Sequence, residues 1–273
     1  MTPLSIIIPY KDSSKSLERL LSSIPSSIGA QVMVIDDHST PDEYQALEAF
    51  AKVYPFELYR NSSSRFGTCV ARNIGLEYSK GEWIIFAGVG DLFLESLAEK
   101  FNLYKDSEYD IVFFDVSSSD SDTSKPTYRY KNIKSSIKKY LSTNDDGYLR
   151  YNYSSPCGKF IKQSLLAENY IDFEKIISGS EVVFSIKSGL AAKAICYDPD
   201  PIYMLSAPAE SATFPLTKES FDSKFKATLR ANKLLRDNNK NGFQISILYF
   251  LAKAPKFGFS YFLSVVYSCL KSR

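Results

Sequence analysis

The chain is poor in the residues on which most metalloenzymes and redox enzymes depend. It has one histidine, His38, in 273 residues, so neither a histidine-based zinc site nor an HExxH protease helix can be built. Its four cysteines, Cys69, Cys157, Cys196 and Cys269, include no CxxC pair, which excludes a zinc ribbon and a thioredoxin-type site. Thiols so far apart read as small buried apolar residues of a reducing compartment. No GxGxxG follows the first strand-like run, and no GxxxxGK[ST] occurs anywhere; a Rossmann pyrophosphate turn and a P-loop are both missing. No basic segment followed by a long apolar run opens the chain, from which a cytoplasmic location is expected. Charge is balanced as well: 33 Lys/Arg against 31 Asp/Glu, net +2, gives no reason to expect a nucleic-acid partner.

What is present is enough apolar material for a sizeable core, 44% of residues, with 23% charged. The charge is unevenly distributed. Residues 1–120 hold 10 Lys/Arg and 18 Asp/Glu, net −8, and residues 121–273 hold 23 and 13, net +10, so the two halves should meet different partners. Leu4–Ile8 is a short β-branched run of the kind buried on both faces of a sheet. Helical spacing follows at 13–25, a second strand at 31–35, a helix at 41–53 opened by Pro41 and two acids, and strands at 56–59, 82–86 and 110–115. Helices at 64–78 and 92–104 fall between them. Strands alternating with helices predict an α/β fold with a mostly parallel sheet flanked by helices, its ligands bound beyond the carboxyl ends of the strands. Further on, 117–126 reads as a polar, solvent-exposed loop. Helices are expected at 133–141, 160–168, 181–190 and 218–241, and a short strand at 194–197.

The ends of those strands carry Ser5-Ile-Ile-Ile-Pro9-Tyr10, Val34-Ile-Asp36-Asp37-His-Ser39, Ala71-Arg72-Asn73-Ile-Gly75 and Gly81-Glu-Trp-Ile-Ile-Phe86. Later come Gly158-Lys159, Gly179-Ser-Glu181-Val-Val-Phe184, Tyr197-Asp-Pro-Asp-Pro-Ile-Tyr203 and Ser211-Ala-Thr213. In order and spacing this set resembles family 2 glycosyltransferases of the GT-A fold, over roughly residues 3–215, such as those of bacterial polysaccharide, O-antigen, lipopolysaccharide or capsule assembly. The resemblance implies a GT-A domain at 1–215, with a nucleotide-sugar-binding half (1–116) and an acceptor half (117–215), followed by a basic, aromatic helical tail at 216–273. It implies transfer of a sugar from a nucleotide-activated donor to a growing glycan or lipid-linked glycan. Asp37, or alternatively Asp36, would receive the donor base, since a carboxylate accepts the imide N–H of uracil. Pro9 and Tyr10 would wall the base on the other side, with Asp12 in the same loop and Arg72 and Asn73 near the nucleotide.

The family's DxD cluster, whose carboxylates hold Mg2+ or Mn2+ on the donor diphosphate, is degenerate here. The stretch reads Phe86-Ala87-Gly88-Val89-Gly90-Asp91, with glycine at both DxD positions and only Asp91 left. Several outcomes stay open: Asp91 holds the metal alone; a cation such as Lys159, Arg65 or Arg72 neutralises the leaving group instead; the donor is a nucleoside-monophosphate sugar; or the chain binds donors without transferring, as a pseudoenzyme or partner subunit. Glu181 aligns with the family's general base for an inverting transfer, and Asp115 is the rival. Tyr148, Tyr151 and Tyr153, expected in a loop, are candidates for the acceptor cleft. Residues 218–273 carry 11 Lys/Arg and 3 Asp/Glu among many aromatics, and their longest uncharged stretch, 257–270, has 14 residues, fewer than the ~20 that cross a bilayer. That composition suits an interfacial helix on the inner membrane surface, or packing on the domain.

Overall fold

The computed structural model of the chain describes residues 3–120, 131–207 and 217–272. In chain order its first part is β1 (Leu4–Tyr10), α1 (Ser14–Ser22), β2 (Gln31–Asp36), α2 (Pro41–Phe50), β3 (Glu57–Arg60), α3 (Thr68–Tyr78), β4 (Trp83–Phe86), β5 (Leu92–Phe93) and α4 (Ser96–Tyr104). The middle comprises β6 (Ile111–Phe114), β7 (Ser117–Asp120), α5 (Lys131–Thr143), α6 (Gly147–Asn152), β8 (Lys159–Lys162), α7 (Gln163–Glu168), α8 (Ser180–Ala191), β9 (Ile195–Asp198) and β10 (Tyr203–Ala207). The tail adds α9 (Lys218–Asp237), α10 (Leu248–Lys253) and α11 (Phe259–Lys271).

β1 is buried along its whole length because β2 and β4 both pair with it in parallel. The seven-stranded sheet runs β3-β2-β1-β4-β8-β6-β9 and is parallel except at β8, which is antiparallel to β4 and β6. Helix α3 crosses β1 closely at Gly75, where a Cβ would lie 2.4 Å from Ile7 Cγ2, so only glycine lets the two backbones approach. A second, three-stranded sheet, β5-β10-β7, joins the segment after β4 to the distant 203–207 strand. The parallel α/β architecture expected from the sequence is therefore present, as is a C-terminal helical extension.

Three local expectations need correction. Residues 159–162 are not the start of a helix but strand β8, because β4 and β6 leave a backbone slot between them that Lys159–Lys162 fills. Ser117–Asp120 is strand β7, paired in parallel with β10 from Met204 to Ala207, rather than loop. Tyr148 and Tyr151 lie on helix α6, and Tyr153 directly follows it. Residues 121–126 of the expected loop, the Ser211–Thr213 segment and the boundary at 215 lie outside the described residues.

The tail packs on the body of the molecule. α9 lies against α8, with Ala231 and Leu235 joining Tyr151, Val183 and Ile186 in one apolar cluster. Phe221 and Phe225 of α9 then form a separate cluster with Phe250, Ala254, Val265 and Cys269.

Candidate donor and acceptor site

The carboxyl ends of β1, β2 and β3 lie side by side, with Tyr10 in register with Asp36 and Asp36 with Arg60. The next residue, Asp37, is almost fully buried, and both its oxygens accept hydrogen bonds, Oδ1 from Asn61 Nδ2 at 2.8 Å and Oδ2 from the Gly67 N–H at 2.6 Å. His38 Nδ1 lies a further 3.5 Å from Oδ1, and Oδ2 retains a lone pair beyond the one that Gly67 occupies. Gly67 begins α3, so Asp37 rests at the positive end of that helix. Beside it stands Phe66, 70% exposed, edge-on to His38 with ring centroids 6.5 Å apart and with Lys11 Nζ 5.8 Å above its ring. An exposed ring next to a buried carboxylate is a ready stacking face for a base. No periodic signal points to Phe66; only its place beside Gly67 does.

The neighbouring candidates do other work. Asp36 is fully buried, accepts from the Ser39 N–H at 3.1 Å, and has Arg60 Nε 3.6 Å from its second oxygen. That makes it a brace of the loop after β2. Pro9 lies within buried β1. The Tyr10 ring is buried and its hydroxyl donates to Glu43 of α2, so it does not wall an open base site; burial, with the Glu43 carboxylate, pushes this phenol well above its usual range. Asp12, with φ of 45°, accepts from the Thr40 N–H at 2.8 Å and ties the first loop to the second. Asn73 exchanges two hydrogen bonds of 2.8 Å with the backbone of Phe173, so its amide clamps α3 to the 170s segment and it leaves the donor set.

One residue past Gly67, Thr68 begins the lining of a cavity of about 310 Å³ that also takes in Arg72, Gly88, Asp91, Ser154 and Glu181. Three widely separated motifs thus converge. Arg72 Nε is buried with no hydrogen-bond partner among the described residues, and the guanidinium carbon lies 5.2 Å from the centre of the Phe173 ring. Glu181 stands in the first turn of α8, which starts from Gly179 at φ 93°, and has no cation within ion-pair distance among the described residues. Ser180 Oγ donates to its Oε2 at 3.5 Å. Asp115 is ion-paired to Lys134 at 2.5 Å and lines a different cavity from Glu181.

The metal expected from the resemblance meets a poor donor set. Asp91 is 2% exposed; its Oδ2 accepts from Tyr203 OH at 2.7 Å and its Oδ1 from the Ser206 N–H at 2.9 Å, while the Gly88 N–H donates to the same Tyr203 oxygen. The carboxylate fastens the Gly88–Asp91 loop to β10. Among the described residues no three His, Cys, Asp or Glu side chains are gathered as metal ligands. A Cβ at Gly88 would lie 2.8 Å from Asp91 Oδ2, so a side chain there would have to displace that carboxylate. Both Asp91 oxygens are thus already bonded within the protein, whereas a hard cation wants freely presented oxygens.

Lys159 is also withdrawn. It is 3% exposed, donates to the Tyr153 carbonyl at 2.6 Å, and lies over the rings of Phe113 and Tyr153, so it cannot reach a donor diphosphate. Burial pulls its ammonium from 10.5 down to about 7. Tyr153 is wholly buried beneath it and is not part of an acceptor cleft. Arg65 is exposed, and its carbonyl accepts from Asn61 and Ser63.

A family model described as glycosyl transferase family 2 matches residues 5–169. Among curated proteins, the chain is 22% identical over 215 residues to the poly(ribitol-phosphate) beta-N-acetylglucosaminyltransferase TarS of Staphylococcus aureus strain Mu50, covering 77% of this chain and 36% of that protein. It is 29% identical over 118 residues to the corresponding TarP of strain N315, covering 41% and 36%. The chain therefore spans little more than a third of the length of these relatives. Among solved structures, S. aureus TarS 1-349 in complex with UDP-GlcNAc aligns with a TM-score of 0.71 at 18% identity, covering 97% of this chain and 79% of that one. The mannosyltransferase PcManGT from Pyrobaculum calidifontis, in complex with GDP-Man and Mn2+, aligns with a TM-score of 0.55 at 17% identity, covering 98% and 69%. At these identities the structural likeness establishes the GT-A fold.

Proposed function

The chain belongs to glycosyl transferase family 2, and from that membership we propose that it moves a sugar from a uridine diphosphate donor to a growing glycan with inversion at the anomeric carbon. The observation that carries this reading is the single cavity lined by both Arg72 and Glu181, one residue along the chain from the Gly67 that Asp37 holds. The uracil imide N–H donates to Asp37, and the base lies on Phe66. The acceptor hydroxyl passes its proton to a Glu181 oxygen as its own oxygen bonds the anomeric carbon. In the same displacement the carbon–oxygen bond to the diphosphate breaks on the opposite face, and its electron pair leaves with the nucleoside diphosphate. Arg72, permanently charged and with an unpartnered buried N–H, stabilises that departing charge in place of a protein-held cation. The likeness to TarS, solved with UDP-GlcNAc, supports UDP-GlcNAc as the first donor to test.

The reading makes a direct demand on metal removal. UDP release from UDP-GlcNAc by the wild-type chain should survive EDTA with less than a twofold loss, whereas Arg72→Met should lose about a hundredfold in kcat, the cost of ~2.7 kcal/mol of lost transition-state stabilisation. Abolition of wild-type turnover by EDTA and its return with Mn2+ would assign leaving-group stabilisation to a metal.

The membrane face belongs to the same proposal. α11 turns Val265 and Cys269 onto the tail's apolar cluster and leaves Phe259, Leu263, Tyr267 and Leu270 exposed on the opposite side. Lys253 and Lys256 precede α11 in the chain, and Lys271 lies in its last turn. Basic heads around an apolar helix face suit an anionic lipid surface, and a lipid-linked glycan would present its acceptor end there. Among the described residues no helix is long and apolar enough to cross a membrane.

A further inference from the structure

A second and larger cavity, of about 710 Å³, opens on the far side of Glu181. It shares Asn132, Ser154 and Glu181 with the 310 Å³ donor-side cavity, so the two spaces meet at the general base. One wall comes from α5 and α6 of the body. The opposite wall is the tail segment 242–250 and the face of α9 that carries Lys224 and Thr228.

That tail wall is fixed in place. Asn232 exchanges hydrogen bonds of 2.9 and 2.7 Å with the backbone of Ile245, and Asn152 donates to the Phe243 carbonyl at 3.1 Å. The Phe243 ring packs on the bare face of Gly147, where a Cβ would lie only 2.1 Å from its Cζ, and stands 5.3 and 5.2 Å from the rings of Tyr148 and Tyr151. The result is a built groove with hydroxyl, amide and aromatic surfaces, of a volume ordinary for a ligand larger than one sugar.

Its charge is the discriminating feature. The cavity has two cations, Lys139 from α5 and Lys224 from α9, and Glu181 is the one acid in its lining. Neither lysine has a carboxylate within 4 Å among the described residues, although elsewhere on α9 Lys226 is paired with Asp222 and Lys233 with Asp237. A neutral glycan asks for hydroxyl partners alone; two exposed lysines lining one groove without a carboxylate partner, Lys139 with its Nζ 5.3 Å from the centre of the Tyr148 ring, favour an acceptor with phosphates along its chain.

The geometry points to this tail-built groove as the acceptor site, selective for a phosphate-bearing polyol or sugar chain through Lys139 and Lys224. The inference rests on the transferase reading above, because it gives the shared Glu181 the role of base between donor and acceptor.

The test is calorimetric titration of the full chain with three ligands: UDP-GlcNAc, a glycerol-phosphate trimer and uncharged maltotriose. The trimer should bind saturably, more tightly than maltotriose, and more weakly as salt rises. Binding of the trimer should fall at least tenfold in Lys139→Gln/Lys224→Gln and persist in Lys139→Arg/Lys224→Arg. UDP-GlcNAc affinity and thermal midpoint should be the same in all three proteins, which separates loss of the site from loss of the fold. No binding of the trimer to the wild type, equal binding to the Gln variant, or tighter binding of maltotriose would overturn the inference while UDP-GlcNAc binding upheld the donor site. Failure of UDP-GlcNAc to bind a chain that still took up the trimer through its lysines would overturn the donor reading instead.

Discussion

At the scale of single residues, the site is separated from its scaffold by what each polar group is already bonded to. Asp36 and Asp37 are adjacent carboxylates at the end of one strand, yet Asp36 is locked against Ser39 and Arg60 and Asp37 sits beside an exposed ring. The sequence shows the pair but not the division of labour, because Asn61, Arg60 and Phe66 arrive from another strand end. Lys159 shows the same limit from the opposite side. A lysine after a glycine reads as a surface cation, since lysine is almost never fully buried, but here β8 carries it beneath two aromatic rings. Its lowered pKa makes a prediction. The unfolded chain keeps this proton up to about pH 10.4 and the folded chain gives it up near 7. Between those values the unfolded state binds more protons, so this group's contribution to stability rises with pH and is lost as pH falls through 7. Thermal midpoints of the wild type should climb relative to Lys159→Met between pH 6 and 9; parallel curves would show that the ammonium stays charged throughout.

At the scale of elements, strands that carry a run of apolar or β-branched residues of their own were legible, and strands without that signal, or with one that suits a helix as well, were not. β1, β2 and β4 announce themselves by β-branched runs and by the short helical segments between them. β7 is Ser-Ser-Ser-Asp, with no apolar signal, and exists because the β10 backbone lies beside it. β8 carries Phe160 and Ile161 shortly before Leu165 and Leu166, a spacing that satisfies a helix equally well. The Tyr197–Tyr203 motif proved to be structural: Lys100 of α4 bonds Asp198 at 2.9 Å and Asp200 at 2.6 Å, and Tyr104 donates to Asp198 at 3.0 Å. The two carboxylates raise the Lys100 pKa. Since Asp198 is buried, Lys100→Met should cost about 3 kcal/mol by leaving its charge uncompensated, a fall in thermal midpoint of roughly 6–12 °C. Lys100→Met/Asp198→Leu should recover most of that loss. A loss below about 1 kcal/mol in the single variant would show that Tyr104 and the Asp200 backbone suffice.

At the scale of the whole molecule, the charge asymmetry visible in composition becomes spatial. The acidic N-terminal half supplies Asp37, and the basic C-terminal half supplies α9 and a tail that both builds one wall of a groove and exposes an apolar helix face. Within the tail, α9 packs on the body while α11 packs on α9 and α10 with one side and leaves the other exposed, so one sequence signal contained both. If the outer side meets lipid, the full chain should float with vesicles containing phosphatidylglycerol and not with pure phosphatidylcholine, and high salt should release it. Leu263→Glu/Leu270→Glu should abolish flotation without lowering UDP-GlcNAc affinity. Equal flotation by the variant would remove this face from membrane binding.

The account turns on Glu181 as the base between two bound substrates, and one comparison reaches it most directly: UDP-GlcNAc binding and UDP release, measured side by side for the wild type and Glu181→Gln. The carboxamide keeps the size of the side chain and cannot take up the acceptor proton. The account predicts unchanged donor affinity with turnover reduced at least a thousandfold, on the order of 4 kcal/mol of lost transition-state stabilisation. Turnover within tenfold of the wild type would contradict it and require another group to accept the proton.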